Sequence, residues 1–169
     1  QGEYEYCNFS NCSFAGAELS LSDFIECTFE SCDFSLAKID NSSFRDVEFI
    51  DCKLLGLNFD RCKQFLFSAN FHNCILNLSS FYKIKLKKTN FTGSVLRETD
   101  FAEADLSESI FTGCDLSGAI FENTNLQKAD FRTTQNFTID PDNNLIKAAK
   151  FSRDSLEGLL QKYKIKVSL

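Results

Sequence analysis

Eight cysteines, one histidine and twenty-four carboxylates are the residues of this 169-residue chain with chemistry to offer. Thiols at suitable spacing could bind zinc or form disulfides, and paired carboxylates could act as acid and base. The spacing argues against each. Cys7, Cys12, Cys27, Cys32, Cys52, Cys62, Cys74 and Cys114 form no CxxC pair, and His72 is too isolated to complete a metal cluster. Cys12, Cys32 and Cys52 recur every twenty residues, and such stacked thiols point the same way, a poor geometry for a disulfide. Asp23, Asp33, Asp100, Asp105, Asp115 and Asp130 each sit immediately before a Phe or Leu. Their position reads as repeat architecture rather than catalysis. No phosphate-binding loop, dinucleotide fingerprint or nucleophile elbow is present. The expectation is a protein with no catalytic residues, no metal and no cofactor.

What positions these residues is a beat of five. Apolar centres run from Phe9 through Phe14, Leu19, Phe24 and Phe29 to Phe59, and again from Phe71 to Phe131. Two residues before most centres stands a small residue: Cys, Ser, Ala or Thr. A five-residue period smears apolar groups around a helix, whereas extended backbone turns residues two apart to the same side. Each pentad is therefore one short side and one corner. Four near-right-angled corners close a twenty-residue coil, and coils stack at the roughly 4.8 Å spacing of paired strands. The predicted core ladder includes Phe29, Phe49, Phe91 and Phe111, with Cys12, Cys32 and Cys52 stacked in a column.

The beat slips once. In "DRCKQFLFSANF" the old register puts Gln64 at a centre, and Phe59 to Leu66 is a step of seven. Two extra residues need a bulge or widened corner near 60–67, with Leu66 as the first centre of the new register. Leu57 and Ile84, large where small residues are expected, flank it.

After Phe131 the pattern stops. Asp140-Pro141 and Asn143-Asn144 mark turns, and "FSRDSLEGLLQKY" reads as an α-helix with Ser152 as N-cap and Leu156, Leu159, Leu160 and Tyr163 at helical spacing. Ile165, Val167 and Leu169 then alternate as in a strand. The predicted organisation is a repeat body at 3–133 and a cap of turn, helix and strand at 134–169.

"CDLSGAIFENTNLQKADF" matches the pentapeptide-repeat consensus, and the chain resembles that family over roughly residues 5–133. The resemblance implies an all-β solenoid, a right-handed quadrilateral parallel β-helix with a C-terminal α-helical cap, similar to duplex DNA in dimensions and acidity. The tail looks like that of the Qnr-type quinolone-resistance proteins. By that likeness Leu156, Leu159, Leu160, Tyr163, Ile165 and Val167 would form a cap or a homodimer contact. The resemblance further implies a non-enzymatic DNA mimic that binds DNA gyrase or topoisomerase IV and protects against quinolones. A scaffold or adaptor for another protein partner is the alternative reading. Qnr proteins carry projecting loops, and no comparable insertion interrupts the beat here.

Charge supports banding. Residues 1–60 hold twelve acids and three bases, 61–90 six bases and no acid, 91–140 nine acids and three bases, and 141–169 three acids and six bases. An acidic rod disfavours direct nucleic-acid binding and attracts proteins that themselves bind nucleic acid. Lys83, Lys85, Lys87 and Lys88 are the densest basic stretch. No apolar run is long enough to span a bilayer, so neither a membrane partner nor a membrane location is expected. The absence of Met places the translational start outside this sequence, Gln1-Gly2 is left out of the fold argument, and the expected location is cytoplasmic.

Overall fold

The computed structural model describes residues 2–165. Its backbone is a parallel β-solenoid of about 7 turns. The short strands β1 (Glu3–Glu5), β3 (Asp23–Ile25) and β5 (Ser43–Arg45) pair in register on one side. On the next side β2 (Asn8–Ser10), β4 (Thr28–Glu30), β6 (Val47–Ile50) and β7 (Ala69–His72) do the same. The other two sides are joined by single parallel bridges such as Ser13↔Asp33, Glu18↔Lys38 and Asp100↔Ile120. Partners are twenty residues apart, except across the slip, where Lys53↔Ile75 and Asn58↔Ser80 are twenty-two apart.

The corners carry a backbone cost. Most corners place the second residue after the centre in the left-handed region: Leu21 (φ 60°), Leu36 (57°), Leu78 (59°) and Glu103 (56°) are examples. An L-residue there costs roughly 1–2 kcal/mol. The following amide then closes the turn onto the centre's carbonyl, as Ala104 N does on Phe101 O at 3.1 Å.

Burial of the centres offsets this cost. Phe29, Phe49, Phe71, Phe91, Phe111 and Phe131 are fully buried in one stack, with nearly parallel rings 4.8 to 5.4 Å apart. Phe59, Phe81, Phe101 and Phe121 form a second stack, edge-on to the first. Each buried ring contributes about 1.5–3 kcal/mol, and offset or edge-on pairing adds roughly 0.5–1.5.

The small inward positions do more than fit. Ser109 Oγ donates to Leu86 O at 2.7 Å, Thr124 Oγ1 to Phe101 O at 2.9 Å and Cys114 Sγ to Phe91 O at 2.9 Å. Each donor thus reaches the centre carbonyl of the preceding coil. Cys32, Cys52 and Cys74 make the same contact to Phe9, Phe29 and Phe49. Thiols and hydroxyls are interchangeable here because both are small and both donate.

The structure corrects the sequence reading in three places. At the slip, Phe67 turns inward against Phe44 and Phe59, while Leu66 takes a left-handed corner and is exposed. The two inserted residues shift which side chain faces the core by one, so Phe67 takes the inward place, and Leu57 and Ile84 are buried as well. The coil also continues past the expected boundary at 133, since Asp115↔Gln135, Asn125↔Leu145 and β8 (Asp130–Phe131) with β9 (Lys150–Phe151) keep the twenty-residue register. The pattern hides this coil because Asn136 and Pro141 occupy centre positions and Phe137 is buried instead.

Finally, the cap helix winds as 3-10 turns, Arg153–Leu159 and Gln161–Tyr163, rather than as an α-helix. Gly158 presses on the last coil, where a Cβ would meet Phe137 O at 2.5 Å. Its carbonyl accepts from Ile139 N at 3.0 Å, which diverts an acceptor that an α-helix would use internally. Ser152 has the extended backbone of an N-cap, but its hydroxyl bonds Ser155 Oγ instead of a backbone amide.

Burial sets thiol reactivity. Cys27, Cys32, Cys52, Cys62, Cys74 and Cys114 are buried, whereas Cys7 and Cys12 on the first coil are half-buried. Burial pushes up the thiols of Cys27, Cys32 and Cys62, and that of Cys114 to about 12. Alkylation of the native protein at neutral pH, read by mass spectrometry, should modify Cys7 and Cys12 first and the other six only on unfolding. Equal rates at all eight would contradict the buried ladder.

Candidate functional site

With the interior filled, function must be sought on the four outer sides and the two ends. Among the described residues, no three His, Cys, Asp or Glu side chains gather as a metal site, and no helix is long and apolar enough to cross a membrane. His72 Nε2 lies 3.2 Å from Glu48 Oε2, and that carboxylate also accepts from Asn70 Nδ2 at 2.7 Å. The single histidine is thus engaged in a surface contact between neighbouring coils.

The carboxylates before the centres are held by the repeat itself. Oδ1 of Asp33, Asp100, Asp105 and Asp115 accepts the amide of Ser35, Ala102, Ser107 and Ser117 respectively, at 2.9 to 3.1 Å. Asn90 and Asn125 accept in the same way from Thr92 and Gln127, which is why Asn and Asp alternate at this position. Burial opposes the charge of Asp115, but hydrogen bonds from Ser117, Asn136 and Arg97 outweigh it and hold the carboxyl far below the usual range. Ser35 does this for Asp33 and Arg132 for Asp130. The repeat itself thus fixes these acids on the outer sides.

Together the acids give a quantitative surface. Residues 1–60 carry twelve acids against three bases, a net of nine negative charges over three coils. At roughly 4.8 Å per coil that is one net charge per ~1.6 Å of axis, close to the ~1.7 Å of duplex DNA. The band 91–140, nine acids against three bases, holds six net negative charges over two and a half coils, or one per ~2 Å. Between them the basic band reverses the sign.

The cap presents the other candidate surface. Leu156 is 42% exposed, Tyr163 53% and Ile165 54%, while Leu159 is half-buried against the core and Leu160 is also half-buried. Val167 lies outside the described residues. Lys162 pins the cap to the last coil through Asp140 Oδ1 at 2.6 Å and through Asp142, which Tyr163 OH also reaches at 3.1 Å. Lys162 and the turn carboxylates carry no apolar periodicity, so the sequence pattern gave no sign of this clasp. The inward donors were equally hidden, since smallness alone explained their positions.

Comparison with known proteins agrees with this geometry. A family model described as pentapeptide repeats (8 copies) matches residues 5–41, 66–101 and 99–134. Among solved structures, a trypsin-treated variant of QnrB1, described as a plasmid-mediated fluoroquinolone resistance protein, is 26% identical with a TM-score of 0.55, covering 98% of this chain and 90% of that one. Full-length QnrB1 is 23% identical with a TM-score of 0.56, covering 96% of this chain and 90% of that one. No curated protein sequence matches the chain.

The bound carboxylates make stability depend on pH. A folded-state pKa below the unfolded value adds stability that is complete above about pH 4 and is lost as pH falls through the folded value. Asp115→Ala should lower urea-unfolding stability at pH 7 by about 1.5–3 kcal/mol, the range for a charged hydrogen bond. The difference from wild type should shrink on acidification toward pH ~2. An equal gap at both pH values would deny that the ionised form matters.

Proposed function

Because the chain belongs to the pentapeptide-repeat family, we propose that it is a non-enzymatic binding protein whose acidic bands imitate duplex DNA and dock on a DNA-binding enzyme, DNA gyrase or topoisomerase IV. The observation that carries this reading is the charge per length of the two acidic bands, which matches that of a duplex on a column of stacked, rigid coils. The likeness to QnrB1 supports it, because it spans nearly the whole chain, cap included. Occupation of a duplex-binding channel by this column would displace or reshape the DNA complex and so relieve quinolone poisoning. Two columns joined through Leu156, Tyr163 and Ile165 would double the length of acidic surface in a homodimer. On this reading the protein works in the cytoplasm, alongside the enzyme it binds.

The reading is tested in a gyrase supercoiling assay with ciprofloxacin. Micromolar protein should restore supercoiling, and the effect should weaken as salt screens the acidic bands. Glu98→Lys with Glu122→Lys, both exposed in the second acidic band, should weaken rescue roughly tenfold without lowering the melting temperature. Neither rescue nor inhibition at that concentration would overturn the proposal.

A further inference from the structure

The register slip builds a surface that the acidic-band reading does not use. The chain leaves the ladder after Lys63, whose amide donates to Ser42 O at 2.8 Å, and re-enters at Ser68, whose amide donates to Phe44 O at 3.0 Å. Gln64 to Phe67 form a bulge closed by Phe67 N on Gln64 O at 3.3 Å. Only Phe67 can turn inward, so Phe65 stands 80% exposed and Leu66 58%. Leu66 does so at φ 59°, a conformation that Gly or Asn would take more cheaply. A single exposed apolar residue is ordinary. Here two adjacent ones cap the single break in the beat, at a turn that polar residues would build with less cost.

Their surroundings are basic. Arg45 and Lys63 line a notch of about 210 Å³ with Phe65, Ser43 and Asp23. The twenty-two-residue step across the slip on the neighbouring sides, Val47↔Ala69 and Asn58↔Ser80, carried one coil further, puts Lys85 and Lys87 on the side of Ser43 and Arg45, on the order of 10 Å along the axis. Carboxylates are present too: Lys63 pairs with Asp23 at 2.8 Å and Lys87 with Glu108 at 3.3 Å. Arg45 and Lys85 are in no ion pair among the described residues, and Arg45 Nε is covered without a hydrogen-bond partner.

We infer that this side of the column is a docking surface for a short acidic segment of a partner protein, with one bulky apolar side chain packing against Phe65 and Leu66 and carboxylates meeting Arg45 and Lys85. Charge and length select this occupant. The basic patch spans about two coils and is adjoined along the axis by bands of net −9 and −6 charge, both within a Debye length of about 8–10 Å. A long polyanion running along the column meets repulsion at both ends, whereas a short acidic peptide can hold its carboxylates on Arg45 and Lys85, clear of most of the carboxylates in the two bands. The surface straddles the edge between the first acidic band, which contains Arg45, and the basic band that follows it.

The test is selection from a random-peptide phage library on the full chain, with counter-selection on the Phe65→Ser/Lys85→Glu double variant. Both side chains are exposed, and unchanged thermal melting confirms that the variant folds. Enriched peptides should combine Asp or Glu with a bulky apolar residue. A synthetic copy should bind wild type roughly tenfold tighter than either single variant and weaken with salt. No enrichment, enrichment of basic or neutral peptides, or equal binding to the variants would overturn the inference. Single-stranded oligothymidine that binds wild type but not the variant would assign the surface to nucleic acid and overturn it as well.

Discussion

Every coil of this molecule rests on the placement of like side chains on like, one strand spacing apart. A parallel in-register column gives each inward residue its own counterpart as a neighbour above and below, so a Phe position tends to stay Phe and a small donor position stays small. Ring separations of 4.7 to 5.4 Å in the two main stacks show that the aromatic faces fit the backbone spacing without adjustment. The left-handed corners are tolerated because the same repeat multiplies the burial that offsets them. A single coil would have corner cost on each side and no stacked neighbour, so the stability belongs to the array.

That constraint also decides where function can lie. Phe, Leu, Cys, Ser and Thr of the interior are committed to packing and to the carbonyls of the preceding coil. Where Asp or Asn stands before a centre, as at Asp33, Asn90, Asp100, Asp105, Asp115 and Asn125, it is committed to a turn amide. What remains free to vary is the corner, the outward residue after each centre and the position before a centre where another residue stands, such as Lys85 or Ile110, together with the cap. Charge at those positions, together with the Asp residues before the centres, produces two bands near the linear density of a duplex, separated by a basic zone that bears the bulge. The banding is therefore a property of the exterior alone, laid over an interior that is nearly indifferent to it.

Much of this architecture is legible in the sequence because the five-residue period allows only one way of turning Phe29, Phe49, Phe91 and Phe111 to a common side. The misread parts are those where one residue breaks the pattern while the backbone keeps it. Asn136 and Pro141 at centre positions conceal a coil that pairs normally with the one before it. Leu66 looks like a centre, but two inserted residues shift the inward direction by one and Phe67 takes the place. The cap has helical periodicity, which does not distinguish an α-helix from 3-10 turns when Gly158 packs on Phe137. The outward surface is legible as charge but not as geometry, since only the twenty-residue stacking brings Arg45, Lys63 and Lys85 to one side.

Residue-resolved amide hydrogen exchange tests the stacking account most directly. In a regular pentad such as Phe101 to Asp105, the amides of Phe101 and Glu103 bond carbonyls of the following coil, that of Ala104 closes the turn, and that of Asp105 bonds Ile84 of the preceding coil. Ala102 donates only to the Asp100 side chain. Protection should therefore fall at every fifth residue and remain high between, from the second coil to the one before the last. Protection with no five-residue period, or confined to the C-terminal cap, would contradict a column held together by like residues stacked on like.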